Sequence, residues 1–249
     1  MLIMDDELVN RSLPRTNPKG DELEPVAARK RLSVQERKRQ IVDGAIQFFA
    51  RHGFDAQLRD LAKSIGVTHT LLYHYFPDKQ ALVDHVYAEV FEGRWKHEWE
   101  QWLDDPAASS EDKFTRFYVD YAATVLTYDF VRILIFSGLT DQTITNRFFE
   151  LLRKRLFPRL IRETRRFRQV DKRSRPTVAE RELLMGLHGG VFYSGFRRWV
   201  YSQGVHSKSV QPYDEDAIRN QVRSYLQASL SLDEASCTKP KQPEGFQWH

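Results

Sequence analysis

Residues 58–77 read LRDLAKSIGVTHTLLYHYFP. Leu58, Leu61, Ala62 and Ile65 mark the inner face of a short helix over about 56–65. Gly66 stops it where the turn needs a positive φ. Val67 plugs the turn, and Thr68 caps a second helix over about 68–75, whose inner residues include Leu72 and Tyr75. Ala62 is small where the following helix crosses closely. The pattern is that of a helix-turn-helix, whose second helix projects into the major groove of DNA while the first crosses the backbone. The outward residues of the second helix are then Thr68, His69, Thr70, Tyr73 and His74. All of them donate or accept hydrogen bonds and none is acidic, as base edges and phosphates require.

The flanks extend this reading. Ser33 and Glu36 form a capping box, followed by Ile41, Val42, Ala45, Ile46, Phe48 and Phe49 at helical spacing. Gly53 closes that first helix, over about 34–52. Pro77 ends the reading helix and Asp78 caps the next, which runs through Leu82, Val86 and Phe91. Residues 29–80 hold ten lysines and arginines against five aspartates and glutamates, an excess of five in a chain whose net charge is +4. Such a local excess is what counterion release from a polyanion demands. A plain three-helix bundle with a polar exterior is the alternative. It gives no reason for polar, non-acidic residues to crowd one short helix.

The remainder reads as helix throughout, so the fold class is all-α. Trp95, Trp99 and Trp102 fall at helical steps, and Asp104-Asp105-Pro106 breaks the chain. Helices are expected over about 110–127, 142–168, 178–204 and 214–231, with Pro158 dividing or kinking the second and Phe130 to Phe136 forming a short apolar segment. Residues 1–28 are expected to be a mobile arm, 29–80 a DNA-binding domain, 81–232 a helical domain, and 233–249 a disordered tail.

Gly66-Val67, Leu72-Tyr73-His74-Tyr75-Phe76, Lys79 and Leu82 resemble the N-terminal DNA-binding domain of the TetR/AcrR family of transcriptional regulators, with Ile41, Ala45, Phe48, Gly53-Phe54 and Leu61-Ala62 also fitting. The resemblance covers about residues 34–83; the rest fits the family's variable ligand-binding and dimerisation domain by architecture. It implies a cytoplasmic homodimer on palindromic double-stranded operator DNA, repressing until a small-molecule effector binds. By position, Thr68, His69 and Thr70 face bases or nearby phosphates, Tyr73 and His74 contact phosphate or base, Lys79 takes the place of a phosphate-binding lysine, and Arg59 is a further phosphate candidate. Two positions depart from the family pattern. Ala56 and Gln57 stand where a Ser/Thr pair often opens the second helix, leaving Asp55 as the candidate cap, and Thr70-Leu71 replaces a small pair.

In the C-terminal half, Gly186, Gly190 and Ser194 are four apart and share a helix face, as a close helix–helix dimer contact requires; Val222, Tyr225 and Leu226 are complementary candidates on the last helix. Tyr118, Tyr121, Phe136, His188 and Tyr193 are candidates for an effector pocket, with ordinary core as the bland alternative. Residues 152–175 hold eleven lysines and arginines against Glu163 and Asp171. They form either a solvated face or a surface for an acidic membrane or partner, which would make the chain a helical adaptor. A helical enzyme using His188 and nearby tyrosines is a third reading.

Composition excludes other classes. The single cysteine, Cys237, forms no internal disulfide, no run approaches a membrane span, and no basic, apolar leader opens the chain. No phosphate-binding glycine loop, dinucleotide fingerprint or metal-ligand spacing occurs; His69 and His74 are five apart and share a face poorly. No cofactor, metal or catalytic residue is expected.

Overall fold

The computed structural model describes residues 32–170, 175–202 and 213–232. The expected arm and tail, the end of the 178–204 helix, and Lys172 and Arg173 lie outside the described residues. Eleven α-helices make up the described residues, with no strand among them: α1 (Val34–His52), α2 (Leu58–Ser64), α3 (His69–Tyr75), α4 (Lys79–Tyr87), α5 (His97–Asp104), α6 (Ser110–Val125), α7 (Tyr128–Leu139), α8 (Thr143–Leu151), α9 (Phe157–Arg168), α10 (Val178–Trp199) and α11 (Glu215–Leu230). One wide π turn, Ala88–Glu92, extends α4, and another, Leu152–Leu156, joins α8 to α9.

Local chemistry sets these boundaries. At α1 the Ser33 hydroxyl accepts the Glu36 N–H at 3.2 Å and the Glu36 carboxylate accepts the Ser33 N–H at 2.7 Å. Gly53, at φ +75°, ends the helix with its N–H on the Phe49 carbonyl. The stretch 142–168, expected to be divided or kinked at Pro158, is two helices that meet at a π turn over Leu152–Leu156. Pro158 lies in the first turn of α9, where its missing N–H leaves one carbonyl of the preceding turn without its helical donor. A second capping box, Thr177 with Glu180, opens α10. The apolar segment at Phe130 to Phe136 belongs to α7.

One continuous apolar core runs from Ile41 in α1 to Leu226 in α11. The N-terminal helices are therefore not a detached module: α7 packs along α1. Phe136 lies 3.0 Å from where a Cβ on Gly53 would stand, and the Arg132 Nε donates to the Ala50 carbonyl at 2.5 Å. Among the described residues no single helix is long and apolar enough to cross a membrane; α6 and α7 would suffice together but bend by 83°.

Candidate nucleic-acid interface

Helices α1, α2 and α4 hold α3 by its inner side. Leu72 and Phe76 are completely buried, and Tyr75 is half-buried against the core. The turn before α3 is fixed by backbone bonds. The Ile65 N–H donates to the Leu61 carbonyl at 3.1 Å, and the Val67 N–H to the Ala62 carbonyl at 3.0 Å. Gly66 adopts φ +68°, and a Cβ there would meet nothing within 4 Å. Its requirement is conformational, with no steric component.

With that side locked, Thr68, His69, Thr70, Tyr73 and His74 are all exposed. The Thr68 hydroxyl caps α3 by accepting the Leu71 N–H at 3.1 Å, which leaves its O–H free to donate outward. His69 and Tyr73 meet edge to face, with ring centroids 4.8 Å apart, so each restrains the other at the surface. No acidic residue stands in the first turn. Leu71 is half-buried.

Two flanking positions differ in kind. Arg59 on α2 is exposed. Lys79 is half-buried: its ammonium donates to the Phe54 carbonyl and, at 3.3 Å, to the Ala56 carbonyl. It therefore ties the turn before α2 to the start of α4, with one N–H left over. The expected Asp55 cap is absent, for α2 begins after Gln57 with no side-chain cap. Lys38 lies over the Phe76 ring at 5.6 Å, bringing a further cation to the base of α3.

The C-terminal candidates divide into three groups. Tyr118, Tyr121 and His188 come together in the interior: the His188 ring centroid is 6.0 Å from that of Tyr118 and 5.4 Å from that of Tyr121. Phe136 is elsewhere, on the seam with α1. Tyr193 is half exposed on the outside of α10, stacked on Phe196. Of the helix-pairing candidates, Gly186 and Gly190 are exposed, and a Cβ on Gly186 would meet nothing. Ser194 is half-buried, its hydroxyl donating to the Val191 carbonyl. Val222, Tyr225 and Leu226 are buried within the protomer, where α11 packs on α6. The close approach of α10 inside the protomer is made by Gly195, against Leu126 and Val131, a residue the four-residue spacing did not single out.

The basic stretch at 152–175 is largely consumed by ion pairs. Arg155 and Arg159 bond Glu100 at 2.9 and 2.7 Å, and Arg162 bonds Asp104. Arg165 and Arg168 grip the buried Glu180 at 2.6 and 2.9 Å, and Arg166 reaches Glu163 at 3.3 Å. The Arg165 hydrogen bond leads the influences that bring the Glu180 carboxyl down to about 2, against the cost of its burial. Charges spent on internal carboxylates are not presented to an acidic membrane or partner, so the adaptor reading loses its basis.

Residues 41–86 match the family model described as bacterial regulatory proteins, tetR family. The match is confined to that segment, which runs from within α1 to within α4. It is 43% identical over 51 residues to an uncharacterised HTH-type transcriptional regulator of Mycobacterium tuberculosis, a match covering 20% of this chain and 22% of that protein. An HTH-type transcriptional repressor of the same organism is 47% identical over 47 residues, covering 18% and 25%. The chain thus spans about a quarter or less of the length of these curated relatives. Beyond that segment the likeness is one of fold. A tetR-family regulator from Streptomyces coelicolor superposes with a TM-score of 0.56 at 15% identity, over 82% of this chain and 86% of that one. A regulator from Pseudomonas aeruginosa does so with a TM-score of 0.55 at 19% identity, over 83% and 94%.

Proposed function

We propose that this chain is a tetR-family regulator: a sequence-specific DNA-binding transcriptional repressor, not an enzyme, that acts as a cytoplasmic homodimer on a palindromic operator. The observation that carries the reading is α3 itself. Its inner residues are buried, and its outer residues Thr68, His69, Thr70, Tyr73 and His74 are exposed and non-acidic. In this reading α3 lies in the major groove and those side chains meet base edges and adjacent phosphates. Arg59, and the N–H that Lys79 has left after bonding two carbonyls, meet the backbone. The reading head is residues 29–80, and 81–232 form the regulatory domain.

Dimerisation uses the outer face of α10. Gly186, Gly190 and Tyr193 lie on one exposed face, beside a groove of about 450 Å3 whose α11 side includes Gln221, Ser224 and Ala228. These exposed α11 positions replace Val222 and Leu226, which serve the protomer's own core. A small-molecule effector bound among Tyr118, Tyr121 and His188 would bias the head through the α7–α1 seam, with a coupling of about 1–3 kcal/mol.

Selection of bound sequences from random duplex DNA, followed by gel-shift titration at moderate salt, tests the reading. A two-fold symmetric preference is expected, and an absence of preference rejects it. For the dimer, Gly190→Trp is expected to halve the mass seen by light scattering while leaving helical content intact; an unchanged mass rejects that face.

A further inference from the structure

Four buried polar atoms without a hydrogen-bond partner lie on two facing helices, α6 and α10. The Thr115 hydroxyl, the Tyr118 hydroxyl, the Tyr121 hydroxyl and the His188 Nδ1 are all buried and unpaired. Thr115, Tyr118 and Tyr121 are spaced by three along α6, so they form a line about 9 Å long down its buried side. His188 on α10 faces that line, and Phe157 on α9 meets the His188 ring edge-on at 5.5 Å. Thr115 is 1%, Tyr118 0%, Tyr121 1% and His188 4% exposed. Buried donors and acceptors are normally satisfied, and a concentration of exceptions calls for a partner. Elsewhere this interior satisfies its polar groups: the Tyr225 hydroxyl pairs with Thr164 at 2.7 Å, the Tyr213 hydroxyl with the Leu126 carbonyl, and Lys113 with Glu163 at 2.9 Å.

The electrostatics narrow the partner's chemistry. Burial alone drives His188 down to about 4, so its ring is neutral. Burial likewise raises the Tyr118 and Tyr121 hydroxyls, and only other tyrosines add to it. No carboxylate or guanidinium acts on any of the three. A charged guest would be buried without a counter-charge, which is far costlier than burying a neutral one.

We propose that Tyr118, Tyr121 and His188 form the recognition end of an effector site for an uncharged, largely apolar molecule bearing a carbonyl or hydroxyl oxygen. The two phenol O–H groups donate to that oxygen. His188 Nδ1 accepts from or donates to a hydroxyl according to its tautomer. Phe117 and Phe157 supply the apolar walls. Binding parts α10 from α6, and α10 packs on α7, which carries the contact with α1. This inference rests on the effector-responsive reading above and adds to it the chemistry of the ligand.

Three probes of similar size test it by isothermal titration calorimetry on the full chain: acetophenone, ethylbenzene and benzoate. Acetophenone is expected to bind about ten-fold more tightly than either of the others, the factor that corresponds to one well-placed hydrogen bond in a dry site. In the Tyr118→Phe/Tyr121→Phe double variant that advantage is expected to vanish, with acetophenone falling to the level of ethylbenzene. Without ligand, each single Tyr→Phe variant is expected to keep or raise the thermal midpoint, because the lost hydroxyl had no partner. Four results would overturn the proposal: equal binding of ethylbenzene, tighter binding of benzoate, an advantage that survives in the double variant, or no saturable binding by any probe. A lowered midpoint in both single variants would overturn it as well, by showing that the hydroxyls are already paired. Duplex selection by the wild-type protein is read separately. Selective DNA binding with failed probes refutes this inference alone, and absent selectivity refutes the DNA-binding reading.

Discussion

Two sets of polar side chains differ in what surrounds them. On α3, His69, Thr70, Tyr73 and His74 face water, and leaving them without protein partners costs nothing. Between α6 and α10, the hydroxyls of Tyr118 and Tyr121 and the Nδ1 of His188 face each other in the dry interior. There each unmade bond costs about 1–3 kcal/mol. The first set is ready for a partner that arrives from outside and is itself polar. The second is a cost that the surrounding aromatic packing must cover until something fills it. A polar side chain without a partner therefore carries different information according to its burial.

The largest effect bearing on this contrast is expected at a buried polar group that is fully paired. Glu180 accepts from Arg165, Arg168 and the Thr177 N–H. Glu180→Gln leaves two guanidinium groups without their carboxylate and is expected to cost about 3–5 kcal/mol in urea denaturation. The same carboxyl lies at about 2 against an ordinary 4.5, so its contribution is complete above pH 4.5 and is lost as pH falls through 2.

Next is the unpaired interior. His188 is held at about 4 against an ordinary 6.5, so the unfolded chain binds the proton first. Stability is expected to fall by about 3 kcal/mol as pH drops from 6.5 to 4. Denaturant melts of the wild type and of His188→Gln across that range check this, and the variant is expected to flatten the slope.

The exposed set gives smaller, more selective effects. His69→Ala is expected to change the preferred duplex sequence by about 1–3 kcal/mol at one position. Lys79→Ala is expected to weaken binding to all sequences alike, to lower the salt slope by about one, and to cost about 1 kcal/mol of stability through the lost carbonyl bonds. Gel shifts at several salt concentrations, paired with urea melts, separate the two. An effect of similar size is expected at Gly66, where Gly66→Ala adds a Cβ in open space but at positive φ; a loss of about 1–2 kcal/mol, with an unchanged fold by circular dichroism, is expected.

Legibility in the sequence followed the same contrast. The boundaries of α1 to α4 are legible nearly to the residue, because caps and glycines act over three or four positions: Ser33 with Glu36, Gly53, Gly66, Thr68 and Asp78 all stand where the chain's own hydrogen bonds need them. Periodicity also found the apolar stripe of α11, but it marks a face to be covered without saying what covers it. Val222 and Leu226 went to the protomer's own α6, while the open face fell to glycines and short polar residues. Phe136 and Tyr193 were grouped with His188 by residue type, and chain geometry sent one to the α1 seam and the other outside. The basic run at 152–175 reads as free because most of its carboxylate partners, Glu100, Asp104 and Glu180, stand on α5 and the start of α10, outside the run. Lys79 was legible as a cation at the right place, but its carbonyl partners depend on how α4 meets the turn before α2.

The Arg132–Ala50 bond bears on how α1 is held against the rest of the chain. Ala50 lies in the final turn of α1, where helical carbonyls lack their own donors, and the arginine of α7 supplies one. Swivelling α1 against α7 would break that bond. That bond therefore ties the end of α1 to α7, and parting the two helices costs about 1 kcal/mol for it alone.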